Sequence, residues 1–500
     1  MQGVRIHILL VSEDDWSLAF KIPDNVDLDW YKDIDEEVES VLYDLVILNR
    51  DITVTEYRIL MSSTKAYCLY VTENARISKA TQNLMDSKFG KRLYTGDVQA
   101  FLDETCKDYF GYSYGERFRP EFLSINQLFQ GSIEFRGNYN VRLTGDFGDE
   151  YSQIAYWKQN IAFYDELSLS FYFEYMKSEN VSVKLRIIKF KKFSTNEISD
   201  IWEIDEEQLK QPFTIDNDAY GSTFVSILAK GSGFLNIISL HTRHSRHDYG
   251  FFLPGGARTC TSTGEELFYY FDPADLKPPL SVYFSGYRTQ EGFEGYYMMR
   301  SMKCPFLLIS DPRLEGGAFY LGNSEFENKV ISTIKKYMKK LNFSSDELIF
   351  SGASMGTFGS LYYACALKPH ALILGKPLAN IGNVAKNERL VRAGGFGTSL
   401  DLMMKNYNGL DETDIESMNQ RLWSKFTNTD WKNTKFIISY LYEDDYDSTG
   451  YQDILAHLHS EGVQVYGKGI HGHHNDNTRT VMSWFKSQYK KVLKEDYKRR

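Results

Sequence analysis

Signals for export or membrane insertion are missing from this 500-residue chain. Its N-terminus, MQGVRIHILLVSEDDW, has an apolar run too short for a signal peptide and meets acidic residues at once. No stretch approaches about eighteen consecutive apolar residues, so neither this export route nor a membrane-spanning helix is expected. Cysteine is scarce and unpaired in pattern: Cys68, Cys106, Cys260, Cys304 and Cys365 are odd in number and form no CxxC, as reduced thiols of a cytoplasmic protein would. Positive charge is in deficit, with 57 Lys and Arg against 67 Asp and Glu. A net charge of −10 argues against nucleic acid or an anionic membrane as the main partner. No glycine-rich phosphate loop follows the first apolar run, which argues against a bound nucleotide there. Internal repeats and low-complexity linkers are absent as well.

What is present is folded, aromatic-rich sequence: 42% apolar and 15% aromatic, with 35 Tyr and 33 Phe. The patterning divides it into three regions. Residues 1–125 carry apolar runs at Ile6–Val11, Leu45–Leu48 and Ala66–Val71 between helix-like segments, which predicts a small α/β unit. Residues 126–262 show period-two alternation, as in Leu167, Leu169, Phe171, Phe173 and again Val181, Val183, Leu185, Ile187, which predicts an antiparallel β-sandwich. Within it, His241-Thr242-Arg243-His244-Ser245-Arg246-His247-Asp248 reads either as a carbohydrate- or anion-binding edge or as a solvated loop. Residues 263–500 return to alternating strands and helices, the pattern of a mainly parallel α/β sheet.

The chemistry concentrates in that last region. Gly352-Ala353-Ser354-Met355-Gly356 matches G-x-S-x-G, in which a serine sits on a strained strand-to-helix turn and small neighbours let the turn close. The pentapeptide alone is weak. Its context is stronger, because Leu348-Ile349-Phe350 precedes it as a strand and Ala/Leu/Tyr-rich sequence follows as a helix. An acid and a histidine must then follow in that order after later strands. Phe436–Leu441 reads as a buried strand running into Glu443-Asp444-Asp445-Tyr446-Asp447. After a helix at Tyr451–Ser460, Val463–Tyr466 reads as the next strand and leads into GKGIHGHHND at 467–476. Arg479–Lys491 reads as a closing amphipathic helix. The fold expected is therefore an α/β-hydrolase-like C-terminal domain.

Each element has a plainer reading. An acidic run is commonly a solvated loop. His-rich tracts bind zinc, but no Cys or HExxH accompanies this one, and adjacent His473 and His474 suit a single ion poorly. With Ser354 upstream, a general base outranks a metal ligand. The oxyanion hole requires the Met355 N–H plus one from an earlier loop, and Gly286-Tyr287-Arg288 after Ser281–Ser285 makes Tyr287 the candidate.

Four segments together are similar to one family: SDPRLEGGAFYLG at 310–322, FSGASMGTFGSLYYA at 350–364, YEDDYD at 442–447 and GHHNDNTRTVMSWF at 472–485. Over essentially its whole length the chain resembles the second accessory secretory protein family of the accessory Sec system, which glycosylates and exports serine-rich-repeat adhesins. The resemblance implies a cytoplasmic protein, peripheral to the translocon at most, working with other accessory secretory proteins, the accessory Sec motor ATPase and the glycosylated adhesin. It implies O-acetylation of N-acetylglucosamine on that adhesin, with no tightly bound cofactor and an unspecified acetyl donor. By motif it places a Ser–Glu–His triad on Ser354, Glu443 and His474, with His473 and Asp445 as the alternates. A non-catalytic export scaffold and an acetyl esterase are the competing readings.

Overall fold

The computed structural model describes residues 5–163, 167–194, 196–216, 220–392 and 394–499. Its N-terminal unit is a five-stranded parallel sheet in the spatial order Val26–Tyr31, Ile6–Val11, Leu45–Leu48, Leu69–Thr72, Lys91–Leu93. The central strands are continuous apolar runs because helices cover them. One of those helices, Val54–Ser63, starts at a capping box in which Thr53 and Glu56 satisfy each other's backbone amides. Val26–Tyr31 escapes an apolar-run search because Asp27 and Asp29 alternate through it at the sheet edge.

The middle region is organised by one 24-residue strand, Gly221–His244. Its first part pairs with Val181–Phe190 and Ser152–Trp157. Its second part pairs with Leu169–Lys177, Asn140–Asp146 and Gly115–Phe118. The switch between the two layers falls at Gly231 and Gly233, both at positive φ (91° and 140°). Any side chain there would collide with the Asn180 carbonyl or the Ser178 hydroxyl, so only glycine permits the bend. The inward residues of both layers, among them Val141, Leu143, Trp157, Phe173, Val183 and Val225, form one apolar core.

The His/Arg-rich run at the end of that strand is neither a solvated loop nor an open binding edge. His241 bonds Glu291 (2.5 Å), and Arg243 bonds both Glu291 (2.5 Å) and Glu266 (2.6 Å), all buried against the C-terminal domain. Arg246 donates to the carbonyls of Asp108 and Tyr112, both at 2.8 Å, on the N-terminal side. His247 bridges Asp108 (2.9 Å) and Asp216 (2.8 Å). The run joins the regions to each other because its side chains bond groups across their contacts, carboxylates for His241, Arg243 and His247 and backbone carbonyls for Arg246.

The C-terminal sheet has eight strands: β1 (Ala257–Cys260), β2 (Glu266–Asp272), β3 (Leu280–Phe284), β4 (Phe306–Ser310), β5 (Leu348–Ala353), β6 (Ala371–Gly375), β7 (Lys435–Leu441) and β8 (Val465–Ile470). They lie in the order β1-β2-β4-β3-β5-β6-β7-β8. β2 runs antiparallel to both neighbours and the rest is parallel, which is the α/β-hydrolase arrangement. Helices Ser324–Leu341 and Met355–Leu367 pack one face and Thr478–Glu495 the other. β8 starts later than VQVY suggests and includes Gly467 and Gly469. Those glycines are not loop formers: the rings of Tyr451 and Tyr442 occupy the space their side chains would need. Among the described residues, no helix is long and apolar enough to cross a membrane.

Candidate active site

β5 ends at Ala353, and the helix Met355–Leu367 begins two residues later. Between them Ser354 adopts φ 51°, ψ −121°, a conformation that side-chain-bearing residues hold only when their surroundings enforce it. The enforcement is visible. A side chain at Gly352 would collide with the Gly356 carbonyl, and one at Gly356 with the Phe284 carbonyl, so both glycines of the motif are needed for closure. The Ser354 amide donates to the Gly375 carbonyl (2.8 Å), and Thr357 Oγ1 donates to the Ser354 carbonyl (2.6 Å).

This turn points Ser354 Oγ at His474, whose Nε2 lies 2.7 Å away. On the other side of the ring, Nδ1 is 2.9 Å from Asp444 Oδ2. His474 and Asp444 are both buried, at 2% and 9% exposure, whereas Ser354 keeps partial access. With Asp444 ionised, Nδ1 carries the proton and donates to it, which leaves Nε2 as the acceptor for the serine hydroxyl. Serine, base and acid thus come from the ends of β5, β8 and β7.

The acid differs from the one expected. Glu443 is exposed and turned outward, where it accepts hydrogen bonds from the Gly472 amide (2.6 Å) and then the His471 ring (2.8 Å); these hold its carboxyl below the usual range. Asp445, the alternate, accepts from the His474 backbone amide (2.9 Å) and from Arg392, so it holds the histidine loop rather than the imidazole. Asp444 lies between them and alone reaches Nδ1. Its Oδ1 also accepts the Tyr446 amide at 2.9 Å. His473 lies outside the group: its amide donates to Asp476 (2.8 Å) and its ring is mostly solvent-exposed. The two adjacent rings have different partners, Asp476 for His473 and Asp444 for His474.

Several supporting residues went unnoticed in the sequence. The Tyr446 ring lies flat on His474, centroids 4.2 Å apart and 8° from parallel, and Arg392 covers Tyr446 at 4.0 Å. Lys376 Nζ donates to the His474 carbonyl (2.6 Å) and to Thr478 Oγ1 (2.8 Å), and burial lowers its pKa. Asp447 accepts the amides of Ala379 and Asn380, both at 2.7 Å, while burial raises its pKa. Tyr446 and Asp447 belong to the acidic run and gave a composition signal. Lys376 and Arg392 had none, because their roles exist only once distant loops converge.

Met355 opens the helix after Ser354, so its N–H belongs to the first turn and has no intrahelical acceptor. Tyr287 follows β3. The Gly286 amide before it is bonded to Glu294 (2.6 Å), so the Tyr287 amide is the next donor along that loop. Gly286 itself abuts the turn: a Cβ there would stand 3.0 Å from the Ala353 carbonyl oxygen. The Tyr287 ring packs on Phe396 (5.4 Å) and its hydroxyl donates to Glu315 (3.1 Å).

Comparison with known proteins places this architecture. Residues 6–499 match the family described as the accessory Sec system GspB-transporter, the second of the accessory secretory proteins. The chain belongs to that family. It is 34% identical to the accessory Sec system protein of that family from Staphylococcus aureus (strain NCTC 8325 / PS 47), across 99% of this chain and 98% of that protein. The corresponding protein of Streptococcus gordonii is 33% identical, with 99% of each covered. A chain of the Glycosylation Associate Protein (Gap123) complex from Streptococcus agalactiae is 35% identical and superposes with a TM-score of 0.87 over all of both chains. Family membership makes the chain an accessory Sec system component, and the superposition over the full length gives it the fold of that Gap123 chain.

Proposed function

We propose that Ser354, His474 and Asp444 are the triad of a serine-dependent O-acetyltransferase that modifies N-acetylglucosamine on serine-rich-repeat adhesins. The observation that carries this is the 2.7 Å contact of Ser354 Oγ with His474 Nε2 at a strained turn, with Asp444 2.9 Å behind the imidazole. A purely architectural domain has no need to hold serine in that conformation or to bury an acid behind a histidine.

In this reaction His474 Nε2 takes the hydroxyl proton as Oγ attacks the acetyl carbonyl, and Asp444 stabilises the imidazolium. The N–H groups of Met355 and Tyr287 face the developing oxyanion. Collapse expels the carrier, which receives the proton from His474 and leaves acetyl-Ser354. A sugar hydroxyl then attacks the ester, again deprotonated by His474, and releases acetylated sugar and free serine. Water in place of the sugar makes the same residues an esterase, so acceptor binding and water exclusion decide between transfer and hydrolysis.

A second role stands beside the first. The N-terminal unit and the sandwich contribute no triad residue, yet they hold charged contacts such as His247 with Asp108 and His241 with Glu291. This favours an additional scaffolding part in an export complex in the cytoplasm, with other accessory secretory proteins, the accessory Sec motor ATPase and the adhesin as partners. The test of the catalytic reading is labelling by a fluorophosphonate probe. Wild type should be labelled at Ser354 and Ser354→Ala should not; equal labelling of both removes the enzyme.

A further inference from the structure

Arg392 stands just past the helix Ile381–Leu390 and reaches the base by two separate routes. Its guanidinium carbon lies 4.0 Å from the centre of the Tyr446 ring, and that ring stacks on the His474 imidazole at 4.2 Å. Its Nε donates to Asp445 Oδ2, while Asp445 Oδ1 accepts the His474 backbone amide at 2.9 Å. One route ends on the face of the imidazole and the other on the backbone that carries it. Both intermediaries directly follow Asp444, the acid that bonds Nδ1.

The arginine is itself tied to the loop it supports. Its amide donates to the Asn387 carbonyl (2.9 Å), and Asn387 Nδ2 donates to the Tyr446 carbonyl (3.1 Å). The Tyr446 hydroxyl donates to the Gly395 carbonyl (3.0 Å). A side chain at Gly395 would collide with Arg392 Nη1, so glycine there makes room for the guanidinium. Burial raises the Asp445 carboxyl, but the His474 amide and Arg392 outweigh it and leave its pKa below the usual range. The pair is therefore ionic, and at 20% and 28% exposure its side chains are better shielded than those of a surface pair. A flat guanidinium can face a ring and offer an N–H edge to a carboxylate at once, which the point charge of a lysine does not do.

Resting on the acyl-transfer reading above, we propose that Arg392 is a positioning residue for that reaction. It fixes the His474 ring through Tyr446 and the His474 backbone through Asp445, which keeps Nε2 on Ser354 Oγ. The base takes and returns a proton in both half-reactions, so its ring must hold one orientation while the acetyl group is exchanged. Arg392 works through other residues and is not assigned a contact with the acetyl group.

Turnover of p-nitrophenyl acetate by the full chain tests this, with wild type, Arg392→Gln, Arg392→Lys and His474→Ala compared. Rates are taken per mole of folded protein, counted from the amplitude of thermal unfolding, so that lost stability is not read as lost catalysis. Acylation and deacylation both use His474, so Arg392→Gln should lower kcat about tenfold or more and leave KM within about twofold. Arg392→Lys should fall between that variant and wild type, because an ammonium can pair with Asp445 without also covering the ring. A smaller fall in kcat overturns the proposal, as does a loss carried by KM, which would make Arg392 a substrate contact. Arg392→Lys equal to wild type overturns it too, since the ring contact would then do nothing. Should Arg392→Gln fail to fold, Arg392→Lys carries the same comparison of kcat with KM. No turnover by wild type, or undiminished turnover by His474→Ala, overturns the acyl-transfer reading itself, and this proposal with it.

Discussion

Asp444 Oδ2 accepts a hydrogen bond from His474 Nδ1 at 2.9 Å, while its Oδ1 accepts the Tyr446 amide at 2.9 Å. The carboxylate is therefore fixed by the same loop whose tyrosine stacks on the imidazole. Ring orientation and tautomer are set from one short segment, as a base that must present Nε2 to a serine requires.

Replacing Asp444 with Asn should thus remove the group that holds the Nδ1 proton and should lower kcat by about 10³- to 10⁴-fold in ester turnover. Glu443→Gln should stay within about threefold, since an exposed ion pair contributes little. The reverse ranking would return the acid role to Glu443.

The two histidines should separate as sharply. His474→Ala is expected to match Ser354→Ala in severity, because triad members act as a unit. His473→Ala should keep most activity, its ring being solvent-exposed against Asp476. Burst kinetics with p-nitrophenyl acetate measure both.

Strain at the nucleophile predicts a trade between stability and function. At φ 51°, ψ −121°, glycine is favoured over any residue with a Cβ. Ser354→Gly should lose all turnover yet melt above Ser354→Ala, with a difference of about 1 kcal/mol. Thermal unfolding of the two variants side by side tests this; equal stabilities would mean that the turn is unstrained.

His247 gives the contact between the N-terminal unit and the sandwich a pH dependence. Hydrogen bonds to Asp108 and then Asp216, against opposing burial, raise its pKa to about 9. A histidine raised in the folded state stabilises fully below its unfolded pKa of about 6.5 and loses that contribution as pH rises through the folded value. Stability should accordingly decline between about pH 6.5 and 9, and His247→Gln should flatten that slope. Denaturant midpoints across this range provide the measurement.

Much of this is legible in the sequence. The elbow, the strand Phe436–Leu441 and the loop order follow from local apolar runs and small residues, which act over a few positions. The choice among Glu443, Asp444 and Asp445 does not, because three consecutive acids differ only in where the loop turns each one after β7. Gly467 and Gly469 read as loop residues because their partners, Tyr451 and Tyr442, lie elsewhere in sequence. The bend in Gly221–His244 is hidden likewise, since Gly231 and Gly233 acquire meaning only against Asn180 and Ser178. The run His241–Asp248, buried as far as Arg246, misleads for a related reason: its charges look solvated until Glu291, Glu266 and Asp108 are brought to them.

The central claim, that Ser354, His474 and Asp444 transfer acetyl groups to adhesin sugars, is tested most directly by mass analysis of glycans on a co-expressed serine-rich-repeat adhesin. Wild type, Ser354→Ala and Asp444→Asn should be compared, with secretion of the adhesin scored in the same cells. O-acetyl groups on N-acetylglucosamine with wild type, and their loss in both variants while the adhesin is still secreted, is the result expected. Unchanged O-acetylation in Ser354→Ala would contradict it.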